Sequence, residues 1–566
     1  MTTPTFATHH DVLRQFQNEA LSGIQAGRYH PFVYPYRALG VNLVILYLLA
    51  PPTKSRWVHL LRYPLFAFLV FHSIDGIVSS RSTYVTVAYG VGLLNSWAVL
   101  WSATLIIFND ARTKFQRIEE VSHPVRSLSP HGQGETSSQP LGNGSVPEQG
   151  RDAASLRRRQ EKRREDGNIN ADGLARGHNE SYIEDQAEDG QDAAYRYQSL
   201  PSTFLHRLDW VLDLVSSFRG PRWGHQVSNL TPPPSAIQHS MRNATSDPET
   251  HPELTFKPPT PFSYITRRQL LQRTLPELLI NYLTLDILKT FTMTDPYFWS
   301  LGPSSPSPFT FPGPTRLLLS AAYTYAALQA IFLLAPLVFA CLLGPKRIGA
   351  HAWPWLYTPY FGSPRAICKK GLAGAWGLWW QQLFRFGFQE AGEAIGRLLD
   401  GMSGDDDVSG RDSIEPEKRG WGKKTQKGMV MRVVVAFGLS GVLHACASHT
   451  AMGPTRPVTG SAMFFWVQPL GLMGQKVVCA WMAKKGWIDK LPWFVREAGN
   501  LGFVVAWFAL TGPLIADDFA RTGIWLFEPV PLSPIRGIRG HGWWRWGGTW
   551  VRWHTADRWW MSGLAF

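Results

Sequence analysis

The sequence predicts an all-α membrane protein: a polytopic bundle of about eight transmembrane helices, with a long disordered polar insert on the cytosolic side. Three observations carry that reading. Apolar runs close to the length needed to cross a bilayer recur along the chain. Aromatic residues make up 13 % of the 566, and 25 residues are Trp, which suits a membrane–water interface where an indole keeps its ring dry and its N–H wet. The polar residues are not interleaved with the apolar ones at a soluble protein's helical period; they are gathered into one long insert and a few loops.

The N-terminus, MTTPTFATHHDVLRQFQ, has no continuous apolar core, so no cleavable signal peptide is expected. The first span then directs insertion, into the endoplasmic reticulum. Residues 36–50 are a short span that extends through its flanks; 63–78 and 84–108 follow, closing an N-terminal transmembrane unit at residues 1–108. Asn95 and Ser96 in the third span are expected to seek partners on other helices. Gly90 and Gly92 suit either close packing or simple flexibility.

Residues 109–203 form the polar insert. Ser, Gly, Gln, Asp, Glu and Arg dominate it, and such a segment buries too little apolar area to offset the entropy of ordering. It contains SLRRRQEKRRE, with Arg157, Arg158, Arg159, Lys162, Arg163 and Arg164. Beside membrane spans this reads as a solvated or headgroup-facing run rather than a nuclear signal. Sequons at Asn143, Asn179, Asn229 and Asn243 are expected to stay unglycosylated on the cytosolic side. Residues 204–260 carry an amphipathic helix and a linker: Leu205, Leu208, Leu212 and Val215 recur at helical spacing, which reads as an interfacial helix stopped by Gly220-Pro221.

Residues 261–566 form the larger transmembrane core. Residues 275–293 make a fourth span carrying Glu277, Asn281 and Asp286; residues 316–343 make a fifth. A Trp-rich stretch follows, WPWLYTPYFGS and then GAWGLWWQQLFRFGF. Its second part, 375–388, is too short to cross and suits a re-entrant or interfacial helix. After a charged loop at 400–427 come spans at 431–450, 462–481 and 501–515. Basic loops place the N-terminus outside and the insert inside. Eight crossings put the C-terminus outside too, whereas the basic, aromatic tail WWRWGGTWVRWHTADRWW favours the cytosolic headgroup layer. The two arguments oppose each other.

The formal net charge of +14 is explained by positive-inside loops and anionic lipid, not by nucleic acid. The four Cys make no CxxC pair, so neither a zinc site nor a disulfide framework is indicated.

The most informative span is MRVVVAFGLSGVLHACASHT, residues 431–450. As a helix it gathers Phe437, Ser440, Gly441, His444 and Ser448 on one face. An ionisable ring in hydrocarbon is costly and turns towards a bundle interior. Ser440 and Gly441 sit one turn before His444 and leave room beside the ring, where a neutral imidazole would take a proton from a hydroxyl. A histidine that only packs and hydrogen-bonds a neighbouring helix is an equally good reading of this span alone. Two more polar stripes run along later spans: Gln468, Gly471 and Gln475 on one, Trp507 and Thr511, followed by Asp517 and Asp518, on the other. Taken singly, each is better read as helix-to-helix adhesion than as chemistry.

Together these motifs resemble the wax synthase-like branch of the membrane-bound O-acyltransferases. FGLSGVLH resembles that branch's Ser-Gly-x-x-His helix. DWVLDLVSSFRGPRWG resembles its cytosolic motif ending in Arg-Gly-x-x-Trp, and YLTLDILKTFTMTDPYF its Asp-bearing helix and Asp-Pro turn. WPWLYTPYFGS and AWGLWWQQLFR resemble its Trp-Pro and Phe-Trp-Gly-x-x-Trp-His-Gln-x-x-Arg motifs, and WFALTGPL its last helix. The resemblance runs from about residue 204 to the end and implies acyl transfer from acyl-CoA to an alcohol, with acyl-CoA as co-substrate, no bound cofactor and no metal. In fungal members of this type the acyl group is often acetyl and the acceptor a terpenoid or polyketide-terpenoid hydroxyl.

On the resemblance His444 is the active histidine. Gln381, Gln382 and Trp380 are candidate donors to the developing oxyanion. Ser440, Gly441, Gln468, Gln475, Thr511 and Asp286 are candidate substrate-lining residues. Arg219, Arg222 and Arg385, with Lys369 and Lys370, are candidates for the phosphates of CoA, though ordinary positive-inside charge explains them as well. One departure stands out: where the family has Trp-His-Gln, this chain has Trp380-Gln381-Gln382, and a carboxamide cannot act as a base. A wax ester synthase, a non-catalytic relative and a transporter are the alternatives; no internal repeat favours the last.

Overall fold

The computed structural model describes residues 8–51, 55–121, 194–227, 230–244, 266–402, 426–547 and 549–566. The basic run and the sequons at Asn143, Asn179 and Asn229 lie outside these. Among the described residues, five helices are long and apolar enough to cross a membrane: Arg56–Ser79, Val85–Phe108, Pro312–Leu343, Val430–Thr450 and Trp493–Thr522, with Tyr36–Leu49 a shorter apolar helix.

The helices that matter for the site are α1 (His9–Gln25), α2 (Leu39–Leu49), α3 (Arg62–Ser79), α4 (Val85–Ser102), α5 (Phe204–Ser216), α6 (Arg267–Thr292), α7 (Pro312–Ala335), α8 (Arg365–Gly374), α9 (Arg385–Met402), α10 (Gln426–Thr450), α11 (Gln468–Lys484), α12 (Trp493–Thr522) and α13 (Pro534–Ile538). Helix α6 shows why charge content alone understates the number of crossings. Its Leu275, Leu279, Leu283, Ile287 and Phe291 are exposed at every fourth position, while Asp286, Lys289 and Thr292 on the other side are fully buried. That is a helix with lipid outside and a polar seam inside, and its 26 residues are about 39 Å long.

Tertiary contacts assign the two ends of the bundle. At one end the Arg207 guanidinium, on α5, donates to the Leu49 carbonyl at the end of α2 (3.0 Å). There too Arg112 donates to Pro51 (2.6 Å) and Asn109 to Glu390 on α9 (2.7 Å). At the other end Ser82, between α3 and α4, donates to the Phe566 carbonyl (2.9 Å), and Ser300, just beyond α6, donates to the Arg521 carbonyl near the end of α12 (2.6 Å). Among the described residues the chain therefore runs between these two ends at α2, α3, α4, α6, α7, α10, the segment leading through α11, and α12, eight passages in all. Helix α1 and residue 566 both lie at the end opposite the strands that flank residues 122–193. Among the described residues the tail thus sits with α1, and the Trp-rich piece folds back on itself.

The insert begins later than composition suggests, because both its ends are folded. Strand β2 (Arg117–Val121) pairs antiparallel with β3 (Ala194–Gln198); β1 (Val33–Tyr34) pairs with the C-terminal residues. Arg117 then donates to Asp209 (2.5 Å) and Asp213 (3.2 Å) on α5. Helix α5 is amphipathic as expected, but it has two apolar faces. Leu205 and Leu212 are exposed, as an interfacial helix requires, while Trp210, Val211 and Leu214 are fully buried in a core with Trp97, Trp101, Trp223 and Phe386.

Two expectations about the spans change in part. Asn95 donates within its own helix to Val91 (2.8 Å), and Ser96 donates to Gly92 of its own helix (2.7 Å) while also meeting the Cys446 thiol of α10, the partner on another helix that was expected. Residues 462–481 are not one helix. A π-turn at Val458–Ala462 and a short helix at Met463–Trp466 precede α11, whose second residue is Pro469; a proline is tolerated at that position but not further in. Gly92 does mediate close packing: a Cβ there would overlap the Cys446 carbonyl of α10, whereas one at Gly90 meets open space. Gly92→Ala should therefore destabilise the purified protein by about 1–3 kcal/mol through overpacking, and Gly90→Ala should leave it unchanged or raise it by up to ~1 kcal/mol from helix propensity. Paired thermal melts in one detergent check both.

Candidate active site around His444

Helix α10 carries His444 against α4, held there by the Gly92 contact and by Thr450, whose hydroxyl accepts the Gly92 N–H (3.0 Å). The imidazole is half-buried. Its Nδ1 lies 2.9 Å from the Ser440 carbonyl, one turn back on the same helix. A carbonyl only accepts, so in the neutral ring Nδ1 bears the proton. Nε2 is left with its lone pair and has no hydrogen-bond partner among the described residues. One face of the ring packs on Phe465, with centroids 4.4 Å apart.

The re-entrant piece reaches the same place. Helix α8 turns sharply at Gly371 (φ 59°) and runs into a π-turn, Ala375–Trp379. The chain then returns alongside its own approach, the Gly362 N–H donating to the Trp379 carbonyl (2.9 Å). At its deepest point the Trp376 ring meets Phe437 of α10, Phe464 and Phe465, and Phe508 of α12, at 5.4–6.1 Å. Trp380 stands 6.1 Å from Trp376 and 5.3 Å from Phe361. Phe437, Ser440, His444, Trp376, Trp380, Gln381 and Gln382 are all half-buried although they come from the middle of helices or of a folded-back loop.

A broken helix at mid-depth must satisfy its own backbone, and three side chains do so. Gln468, fully buried, accepts indole N–H bonds from Trp376 (3.2 Å) and Trp507 (3.0 Å) and donates to the Phe464 carbonyl (2.8 Å). Gln475 accepts the Leu372 N–H just after the Gly371 bend (2.9 Å) and donates to Asn500 (3.0 Å), which donates to the Cys368 carbonyl (2.9 Å). Asp518 accepts the Arg456 N–H (2.6 Å) and the Ser461 hydroxyl (2.5 Å), which fixes the π-turn leading to Phe465.

The structure thus brings His444, Ser440, Trp380, Gln381, Gln382 and Gln468 into one region and sorts their roles. Gln382 is engaged at both ends, donating to the Trp376 (3.1 Å) and Trp380 (2.5 Å) carbonyls and accepting from Arg385 (3.0 Å). Arg385 also donates to the Gly377 carbonyl (2.9 Å), so it braces the return of the loop. Gln381 accepts the Leu383 N–H (2.7 Å) through its carbonyl, and its amide nitrogen makes no hydrogen bond among the described residues. Thr511 donates to the Trp507 carbonyl of its own helix (2.8 Å). The space expected beside the ring at Gly441 is filled: a Cβ there would overlap the Trp466 indole, which donates to the Gly438 carbonyl (3.2 Å).

Asp286 belongs to a different cluster. It accepts the Ser533 hydroxyl (2.5 Å) and the Ile535 N–H (3.0 Å) and pairs with Arg536 (3.3 Å), tying α6 to the tail. Arg219 and Arg222 are turned inward at the insert end. Arg219 donates to the Thr358 (2.8 Å) and Pro359 (3.0 Å) carbonyls and lies 3.6 Å over the Tyr360 ring. Arg222 pairs with Asp213 (2.8 Å). Burial pushes both guanidiniums down in pKa, opposed by Tyr360 and Asp213 respectively. Burial alone would raise the Asp209 carboxyl, but hydrogen bonds from His351 and Arg117 hold it below the usual carboxylate range. Neither Arg219 nor Arg222 lies at the surface for a phosphate, whereas Lys369 and Lys370 are exposed.

A half-buried imidazole with a fixed tautomer, at mid-depth in a polytopic helical bundle, defines a membrane protein with a candidate general base. Residues 357–467 match the model of the membrane bound O-acyl transferase family. That stretch contains the re-entrant loop, α9, α10 and the Phe465 turn. No curated protein and no solved structure matches the chain.

Gln468 lies just beyond the match and anchors it. Gln468→Leu leaves two buried indole donors unpaired and should cost about 1–3 kcal/mol. A melt of the purified variant several degrees below wild type, with Gln468→Glu intermediate, is the expected result.

Proposed function

We propose that the protein is a membrane-embedded O-acyltransferase that moves an acyl group, most simply acetyl, from acyl-CoA to a hydroxyl of a hydrophobic acceptor such as a terpenoid or polyketide-terpenoid alcohol, in the endoplasmic reticulum membrane. The observation that carries the reading is the Nε2 of His444, without a hydrogen-bond partner among the described residues, on a ring packed on Phe465, which in turn meets Trp376 of the re-entrant loop, all inside the stretch that matches the family. Nε2 takes the proton of the acceptor hydroxyl as its oxygen attacks the thioester carbonyl. The tetrahedral intermediate collapses by breaking the C–S bond, and the imidazolium returns the proton to the leaving thiolate. The ester and free CoA are the products. In this reading the Gln381 amide donates to the oxyanion, and the aromatic wall of Trp376, Trp380 and Phe465 keeps water from competing as acceptor.

A second reading rests on one residue. Gln381 stands where the resembled family carries His, which favours a relative that binds these ligands without turning them over. Membranes containing wild type, His444→Ala or Gln381→His, incubated with labelled acetyl-CoA and a panel of hydrophobic alcohols, separate the two. The proposal expects labelled ester with wild type and a loss of about 10²–10⁴-fold in His444→Ala. Transfer unaffected by His444→Ala overturns the site. Transfer absent with every alcohol in wild type but gained in Gln381→His supports the non-catalytic reading, and a preference for long-chain acyl-CoA points to wax ester synthesis instead.

A further inference from the structure

The end of the bundle away from the insert carries a surface that neither the fold nor the proposed reaction uses. We infer that the C-terminal segment, residues 532–566, together with β1, is a lipid-binding collar that lies in the headgroup layer of the leaflet opposite the insert and recognises anionic phospholipid.

The first support is a small sheet with its polarity reversed. Strands β1, β5 (Gly563–Ala565) and β4 (Arg552–His554) pair antiparallel in the order β1-β5-β4. Across it Tyr34, Leu564 and Trp553 stand opposite one another. All three are exposed, Trp553 by 68 %, while Val33 and Ala565 on the other face are buried. A sheet with one face packed on a core normally turns polar residues to water; this one turns out a Tyr, a Leu and a Trp. Trp543, Trp544, Trp559 and Trp560 are exposed beside it.

The second support is continuity with the lipid-facing side of the bundle. The Tyr282 hydroxyl of α6 accepts the Leu532 N–H (3.2 Å) and donates to its carbonyl, and Asp286 holds Ser533 and Ile535. Asp286 and Tyr282 lie six and ten residues before the end of α6, about 9 and 15 Å along its axis. The tail thus docks on the flank of α6, not on its tip. Leu532 and Ile538 are exposed there and extend the apolar stripe of Leu279, Leu283 and Ile287.

The third support is charge. Arg539, Arg552 and Arg558 are exposed and make no ion pair among the described residues. Arg558 lies 5.7 Å over the Trp560 ring. The insert end is basic as well, and the positive-inside bias explains cations at one end of a bundle, not both. Guanidiniums among indoles at the depth where a helix meets headgroups are placed to bind lipid phosphate.

The test uses the full chain in nanodiscs of phosphatidylcholine, with or without a third of the lipid replaced by phosphatidylglycerol, and reads hydrogen exchange of residues 532–566. The collar predicts exchange slowed roughly tenfold or more by the anionic lipid. It predicts no slowing when inorganic phosphate is added to phosphatidylcholine discs. The effect should vanish in an Arg539→Gln, Arg552→Gln, Arg558→Gln variant whose α6 and α12 exchange as in wild type. Equal exchange in the two lipids, equal slowing by inorganic phosphate, or an undiminished lipid effect in the variant overturns the inference. Because no turnover is read, the result is independent of the proposed acyl transfer.

Discussion

The structure depends on one constraint: inside a bilayer, a backbone N–H or C=O released by a helix break must find its partner in the protein. This chain breaks its helices in two places inside the bundle, at the Gly371 bend with its π-turn and again between Val458 and Gln468. Both breaks are closed by long polar side chains from neighbouring helices. Gln475 caps the first, Asp518 caps the second, and Gln468 joins the two through the Trp376 and Trp507 indoles. These breaks carry Trp376 and Phe465 up to His444, so the same polar side chains that make them tolerable also build the walls of the site.

Against that background the imidazole is conspicuous for what it leaves unused. Gln468, Gln475, Thr511 and Asp518 are engaged within the protein, and so is Nδ1 of His444. Among the described residues Nε2 has no hydrogen-bond partner. The carbonyl of Ser440 contributes by fixing the tautomer, a role invisible in the choice of serine, since any residue supplies a carbonyl.

Much of the fold was legible in sequence because hydrophobic length is a direct reading of bilayer thickness. The re-entrant nature of the Trp-rich stretch followed from its shortness, and the polar stripe at Gln468 and Gln475 from helical spacing. What spacing does not carry is direction. It placed Gly441 beside His444 as open space, whereas the Trp466 indole fills it. It placed Asp286 on a spanning helix and could not say that its partners, Ser533 and Arg536, come from the far end of the chain. Arg219 and Arg222 read as cytosolic cations, yet pairing with Thr358, Pro359 and Asp213 turned them inward. Asp518 was visible as an acid at the end of a span; its role rests on a loop whose return path no local pattern encodes.

Those inward cations also link the insert to the site. Arg117, at the base of the insert, shares Asp213 with Arg222. Three residues earlier, Arg219 holds the Thr358–Tyr360 segment, and Phe361 beside it packs on Trp379 and Trp380. The central claim remains the protonation of one ring at the other end of that chain of contacts. Nitrogen-15 NMR of histidine-labelled protein in lipid, with His444 assigned by difference against His444→Gln, reads it directly. The account predicts a neutral ring with the proton on Nδ1 and an unprotonated Nε2; a resonance showing Nε2 protonated and Nδ1 bare would contradict it.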